Sequence, residues 1–456
     1  MASLLLRNAT VLVTMDDQRR EIAGGGLYAE DGWITAIGRT DELPADADEV
    51  LDVRDHLVLP GLINTHHHLY QTLTRAVPAA QDVSLFPWLR ALYPIWARLT
   101  PEAVRVATKL GLIELARSGC TTAFDHQYLF PNTSRLDDQL EAASEIGLRF
   151  HGSRGSMSLG ESDGGLPPDS VVEDQDAILA DTARLIDDYH DPRAGSMTCI
   201  VVAPCSPFTV TPELMSESAA LARDRGVRLH THLAETVDEE AFSLEHFGYR
   251  PVDYAESRGW LGKDVWFAHA VHVSDQDVGK MAATGTGVAH CPTSNMRLGS
   301  GIAPLTSFLS SGIPVGLGVD GSASNDGSHL LGEARQALLS ARLSEAPVPA
   351  DRKEAMISAR EVLEMATRGG ASILARTDLG SLEVGKACDF VAVDLNRVEY
   401  AGAGHDPVAA VLLAAPVNVD LSYVGGQRIV VGGRVTTVDV PAIVEQHNRL
   451  ARKLVS

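Results

Sequence analysis

The residues best able to do chemistry begin with His66 and His68, in the stretch Pro60-Gly61-Leu62-Ile63-Asn64-Thr65-His66-His67-His68. On an extended chain alternate side chains share a face, so these two imidazoles project together while His67 points away. Two neutral imidazoles form only part of a zinc coordination shell. Further donors stand where apolar runs stop: His232 and then Glu235 in Val227-Arg228-Leu229-His230-Thr231-His232-Leu233-Ala234-Glu235, His269 after Val265-Trp266-Phe267-Ala268, and Asp320 after Val315-Gly316-Leu317-Gly318-Val319. A cation held by His66, His68, His232 and Asp320 leaves room for a water, whose pKa bound zinc can bring down to about 7. Taken singly, Glu235 also reads as a carboxylate capping a helix, and His269 as a buried histidine bonded to backbone. The histidines at 67, 126, 151, 230, 272 and 290 are read as core or loop residues and not as ligands.

The elements that must position these residues follow from the hydrophobic pattern. Eight short apolar runs, near 58–68, 119–126, 148–154, 196–204, 227–235, 265–271, 286–292 and 314–321, alternate with helical stretches. Such alternation implies a parallel sheet with helices outside it, and a closed (β/α)8 barrel fits best. The helices carry their own punctuation. Thr100-Pro101-Glu102 and Thr211-Pro212-Glu213 each offer a capping hydroxyl, a proline at the first helical position and an early acid, while Gly119, Gly147 and Gly226 close helices. In a barrel of this kind the carboxyl ends of the strands face one mouth, which would bring His66, His68, His232, His269 and Asp320 together.

At 456 residues the chain can bury a large core, and its net charge of -22 argues against a nucleic-acid partner, which needs a basic face. The five cysteines (120, 199, 205, 291 and 388) include no C-x-x-C, so neither a disulfide framework nor a thiolate zinc site is expected. No signal sequence and no long apolar stretch is legible, so a cytoplasmic protein without membrane contact is expected. Three motif matches are discounted. Gly316-Leu317-Gly318-Val319-Asp320-Gly321 fits a dinucleotide fingerprint but includes the eighth strand itself. Gly380 to Ala387 lacks the hydroxyl that a P-loop needs for magnesium, and Gly160-Glu161-Ser162-Asp163-Gly164 has Pro167-Pro168 where a nucleophile elbow requires a helix. The H-x-E and P-C-x-x-C signature of polynucleotide deaminases is also absent, since Pro204-Cys205 is followed by Ser206-Pro207-Phe208.

The opening Pro-Gly-Leu-Ile-Asn-Thr-His-x-His, then His232-x-x-Glu235, His269 on the sixth strand and Asp320 on the eighth, in this order and spacing, resemble the amidohydrolase superfamily, and within it the mononuclear aminohydrolase branch of cytosine and guanine deaminases. The resemblance runs over nearly the whole chain. It implies a small discontinuous β-sandwich built from both terminal segments, giving a sandwich part at 1–57, a barrel at 58–378, and a second sandwich part with a C-terminal helix at 379–456. It implies one divalent metal ion, Zn2+ or Fe2+, because the fourth strand, Met197 to Pro204, lacks the lysine that bridges two metals in relatives. It implies that Glu235 shuttles a proton from water to a ring nitrogen while His269 and Asp320 orient the nucleophile, and a homo-oligomer is expected. After Lys386 the family pattern is Ala-Asp, whereas this chain reads Ala387-Cys388-Asp389.

The stretches His68 to Ala76, Leu85 to Leu89, Ala203 to Phe208 and Val319 to Asp326 most resemble 8-oxoguanine deaminases, for which the reaction is 8-oxoguanine plus water to urate plus ammonia. Gln71 stands where guanine deaminases place a glutamine against their base, and an amide can both donate to and accept from a purine edge. Gln71, Cys205 and Trp88 are therefore expected to line the pocket of a small heterocyclic substrate. Trp88 also reads as a core aromatic beside Leu89, Leu92 and Trp96, and Cys205 as an inert buried residue. The alternatives are deamination of isocytosine, guanine, a pterin or an s-triazine of the hydroxyatrazine type, or a catalytically silent scaffold of the same fold.

Overall fold

A computed structural model describes residues 3–344 and 356–456. Eight strands, Leu62–Asn64, Cys120–Gln127, Arg149–Ser156, Thr198–Pro204, Arg228–Leu233, Val265–His269, Gly287–His290 and Val315–Leu317, close into a barrel with every neighbouring pair parallel. The closure between the last strand and the first is short. It is reinforced by Thr65, whose N–H and hydroxyl both donate to the Leu317 carbonyl, at 2.9 and 2.8 Å, and by Val319 N–H donating to Asn64 Oδ1 at 2.9 Å.

The run expected as a single strand at 58–68 is divided. His56–Pro60 belongs to a second sheet, and the first barrel strand is only Leu62–Asn64. The break falls where Pro60 has no N–H to give and where a Cβ on Gly61 would strike the Thr121 side chain. Gly61 N–H instead donates to the Asp389 carbonyl, tying the crossover to the second sheet.

Inside the barrel, Ile63, Phe124, Val201, Trp266 and Ala289 pack with Ala371, Ile373, Leu374 and Leu379, forming a dry floor beneath the strand ends that carry the histidines. The predicted caps are in place. Thr100 and Thr211 accept from the N–H groups of Ala103 and Leu214, and Gly147 and Gly226 end their helices at φ +86° and +67°, where an L side chain is strained.

Both termini build the second sheet. Its strands run Arg434–Val435, Gln427–Val431, Leu421–Val424, Phe390–Asp394, His56–Pro60, Ser3–Val13, Glu21–Glu30 and Trp33–Arg39, and Glu49–Asp52 pairs beside Ser3–Val13. It is mostly antiparallel and folds over its own core of Leu4, Leu6, Leu12, Leu27, Val58, Phe390 and Tyr423. The near-P-loop is a turn docked on this sheet: Ile34 N–H donates to the Lys386 carbonyl and Gly385 N–H to the Ile34 carbonyl, at 2.9 and 2.8 Å. Asp389, directly after the unusual Ala387-Cys388, has a structural task. Its carboxylate takes a bidentate pair from Arg149 at 2.7 and 2.9 Å in a buried setting, joining sheet to barrel. Among the described residues no helix is long and apolar enough to cross a membrane.

Candidate metal centre and active site

The barrel mouth gathers the predicted donors. His66 Nε2 and His68 Nε2 each lie 3.2 Å from Asp320 Oδ1, and His68 Nε2 lies 3.0 Å from His232 Nε2. His67 turns away, its Nε2 3.0 Å from the Ser328 hydroxyl. The imidazole tautomers are fixed from behind. His68 Nδ1 lies 2.7 Å from the His126 carbonyl and His232 Nδ1 lies 2.6 Å from the Cys205 carbonyl. A carbonyl only accepts, so each Nδ1 carries the proton and each Nε2 presents a lone pair.

His66 reaches the same state through a relay. His230 Nδ1 donates to the Trp266 carbonyl at 3.0 Å, which leaves His230 Nε2 to accept from His66 Nδ1 at 2.9 Å. His66 Nε2 is then a bare, buried lone pair with no hydrogen-bond partner. Three such lone pairs and a carboxylate oxygen, linked by separations of 3.0, 3.2 and 3.2 Å, repel one another unless a cation sits among them, and tetrahedral zinc bonds of about 2.0–2.1 Å place ligand atoms roughly 3.3 Å apart. The donor set therefore fits one divalent metal ion. Burial pushes His66 down to about 3 and holds His232 well below the usual histidine range, so both are unprotonated bases at neutral pH. Burial opposes the charge on Asp320, whose Oδ1 faces the lone pairs of His66 and His68 and so needs a cation among them to stay ionised.

Beside this cluster stand the two remaining predicted groups. His269 Nε2 is 3.7 Å from Glu235 Oε2 and 3.9 Å from Asp320 Oδ2, while its Nδ1 is held 2.8 Å from Asn295 Oδ1. Burial first, and then the negative charge of Asp320, raises Glu235 to about 8, which suits a group that must both take and give a proton near neutrality. The backbone at these strand ends is strained: Ala234, His269, Ala270 and Asp320 have φ of +54°, +71°, +48° and +60°. Non-glycine residues at positive φ cost energy and cluster where geometry has been set for function. Asp320 is further fixed by Gly321 N–H at 2.7 Å and by the Ser324 hydroxyl at 3.1 Å.

A cavity opens above the cluster. Gln71, Trp88 and Cys205 all line it, with apolar walls from Leu85, Leu89, Phe208 and Leu298. Gln71 Nε2 is buried without a partner, a donor free for a ligand, while Gln71 Oε1 accepts weakly from Ala323 N–H at 3.4 Å. Trp88 lines the cavity and is packed into the core beside it: its indole stacks edge-on to Trp96 with centroids 5.4 Å apart, and its N–H donates to the Ala323 carbonyl at 3.1 Å. Burial raises the Cys205 thiol to about 12, so it presents an uncharged sulfur to the pocket.

The three glycines of the discounted fingerprint space these parts. A Cβ on Gly316 would lie 2.8 Å from Ile373 Cδ1 of the barrel floor, one on Gly318 would lie 2.6 Å from His66 Cβ, and one on Gly321 would strike Gln71 Oε1. Sequence reading missed His230, Asn295, Tyr93 and Tyr128, the last two of which line the cavity. For His230 a signal was present, because it lies two residues before His232 on the same strand face. For the others no local signal exists.

Three comparisons with known proteins bear on this site. A model described as the Amidohydrolase family matches residues 57–435. The 8-oxoguanine deaminase of Pseudomonas aeruginosa is 49% identical over 95% of this chain and 96% of its own length, and the hydroxydechloroatrazine ethylaminohydrolase of Pseudomonas sp. (strain ADP) is 38% identical over 100% and 96%. Among solved structures, atrazine chlorohydrolase TrzN from Arthrobacter aurescens TC1, complexed with zinc, superposes with a TM-score of 0.93 at 35% identity, covering 99% of this chain and 100% of the other.

Proposed function

This chain belongs to the amidohydrolase family, and from that premise we propose that it deaminates a free amino-substituted heterocycle by hydrolysis, with 8-oxoguanine as the substrate, giving urate and ammonia. The observation that carries the reading is the juxtaposition in one cavity of a cation-binding donor set, a proton-carrying carboxylate at Glu235 and an unpartnered amide donor at Gln71.

His66, His68, His232 and Asp320 would hold one divalent ion, zinc by analogy with the zinc-complexed neighbour. That ion supplies Lewis acidity where the attacking water must lose its proton. Glu235 Oε2 takes that proton and delivers it to the ring nitrogen next to the amino-bearing carbon, so that the ring's negative charge is quenched as the water oxygen bonds to carbon. Its buried carboxyl and near-neutral pKa support both halves of the transfer. His269 Nε2, with Nδ1 anchored on Asn295, accepts a hydrogen bond from the attacking water and fixes its direction, and Asp320 Oδ2 lies 3.9 Å from the same nitrogen. Glu235, ionised again after protonating the ring nitrogen, takes the remaining hydroxyl proton and passes it to the amino group, so that the C–N bond breaks with ammonia leaving and a ring carbonyl remaining. Gln71 Nε2 would donate to a ring carbonyl of the base, and the Trp88 and Phe208 walls cover the ring faces.

The 38% relative keeps an s-triazine as the second reading. Ammonia release from 8-oxoguanine, guanine, isocytosine and an aminotriazine, each incubated with zinc-loaded protein, tests both. Turnover of 8-oxoguanine with the highest kcat/KM is the expected result. No turnover of 8-oxoguanine alongside turnover of another ring overturns the assignment.

A further inference from the structure

We propose that Glu239 is a positioning residue of the reaction, acting through the backbone of Glu235. The inference rests on the reading of Glu235 as the proton carrier.

Glu239 is buried, and both of its carboxylate oxygens are used on one turn of chain: Oε1 accepts from Ala234 N–H at 2.9 Å and Oε2 from Glu235 N–H at 2.8 Å. Ordinary helix capping does not explain this arrangement. Thr236 is the N-cap of the helix Val237–Phe247 and accepts from Glu239 N–H at 3.4 Å. A glutamate three residues after the cap usually bends back to the N–H of the cap residue itself. Glu239 passes that group and clamps the two N–H groups before it, which belong to the left-handed Ala234 and to Glu235.

The far side of the same turn is tied as well. The Ala234 carbonyl accepts from Val271 and His272 N–H at 2.9 and 2.8 Å, and the Leu233 carbonyl accepts from Ala270 N–H at 3.1 Å. The clamp thus sits on the turn that fastens the segment bearing Glu235 to the segment bearing His269, whose side chains lie 3.7 Å apart. Loss of one oxygen frees a backbone N–H in a dry site and lets φ of Ala234 relax from +54°, which swings the Glu235 carboxyl. A displacement of about 1 Å at a reacting group can cost on the order of 10²-fold in rate.

Glu239→Gln, which keeps size and one acceptor, should bind metal as the wild type does and keep KM within about two-fold, while kcat falls by on the order of 10²-fold. Glu239→Asp serves the same purpose if the glutamine variant does not fold. The decisive readout is a double-mutant cycle in zinc-loaded enzyme. In a Glu235→Gln background, Glu239→Gln should cause no further loss of kcat, because a residue acting through Glu235 then has nothing left to position. Overturning results are a folded, zinc-loaded Glu239→Gln enzyme with kcat within two-fold of wild type, or losses that multiply in the double variant. Full activity of Glu235→Gln by itself counts against the role of Glu235 and is read separately.

Discussion

Gly321 and Gln71 occupy one another's space: a Cβ built on Gly321 falls on Gln71 Oε1, so the residue after the carboxylate at Asp320 can only be glycine if the amide at Gln71 is to keep its place. This contact couples the cation-binding end of the cavity to its substrate-recognising wall. Gly321→Ala is expected to displace Gln71 and to lower kcat/KM by roughly ten-fold or more, about 1.4 kcal/mol of lost recognition. The same substitution in a Gln71→Ala background should cost far less. Steady-state kinetics with metal content measured in parallel checks this, and equal losses in both backgrounds exclude the coupling.

Glu235→Gln should retain one metal ion per chain and lose between about 10² and 10⁴ of kcat, the usual contribution of a positioned acid-base group. Elemental analysis and ammonia release on the same preparation decide the matter. Activity equal to wild type in metal-replete variant removes Glu235 from the mechanism.

His230 never faces the cation, yet it sets the tautomer of His66. His230→Leu leaves the His66 Nδ1 proton without an acceptor and frees the ring to present either nitrogen. Zinc affinity, measured by competition with a chelator, should weaken about 10- to 100-fold, the effect typical of removing a partner behind a metal ligand.

Glu333 provides a pH signature from a residue that is not itself a cation ligand. Its carboxylate accepts from Thr293 N–H at 2.8 Å and Asn325 Nδ2 at 2.9 Å, and burial raises it to about 7 from an ordinary 4.5. The folded protein therefore holds a proton that the unfolded chain releases. The contribution is complete below about pH 4.5 and is lost as pH rises through about 7, on the order of 3 kcal/mol in all. Glu333→Gln should flatten that part of the curve of unfolding free energy against pH, and an unchanged slope between pH 5 and 7 would falsify the assignment.

The pair Arg149 and Asp389 fastens sheet to barrel and is buried on both sides. Arg149→Met leaves the Asp389 carboxylate uncompensated and should cost about 3–5 kcal/mol of stability in denaturant titration. Arg149→Met combined with Asp389→Leu should recover most of it.

Much of this molecule was legible in its residues. Alternating apolar runs and capped helices specify strands and helices, because periodicity and capping are local properties of the chain. Polar donors at the ends of those runs specify which residues meet, because a barrel sends the carboxyl end of every strand to one mouth. Thus His66, His68, His232, His269, Asp320 and Glu235 could be named together from sequence. What the chain could not announce were relations between residues far apart in it. The His230 relay to His66, the Asn295 anchor of His269, the Arg149 pair with Asp389, and the tyrosines at 93 and 128 on the cavity wall depend on packing across the barrel. Even the division of the first run at Gly61 was decided by the Thr121 side chain on the next strand. Sequence by itself determined the kind of chemistry, since that resides in side-chain type and strand position. Tertiary structure alone decided tautomers, backbone strain and clearances, since these are set by atoms that become neighbours only when the chain has folded.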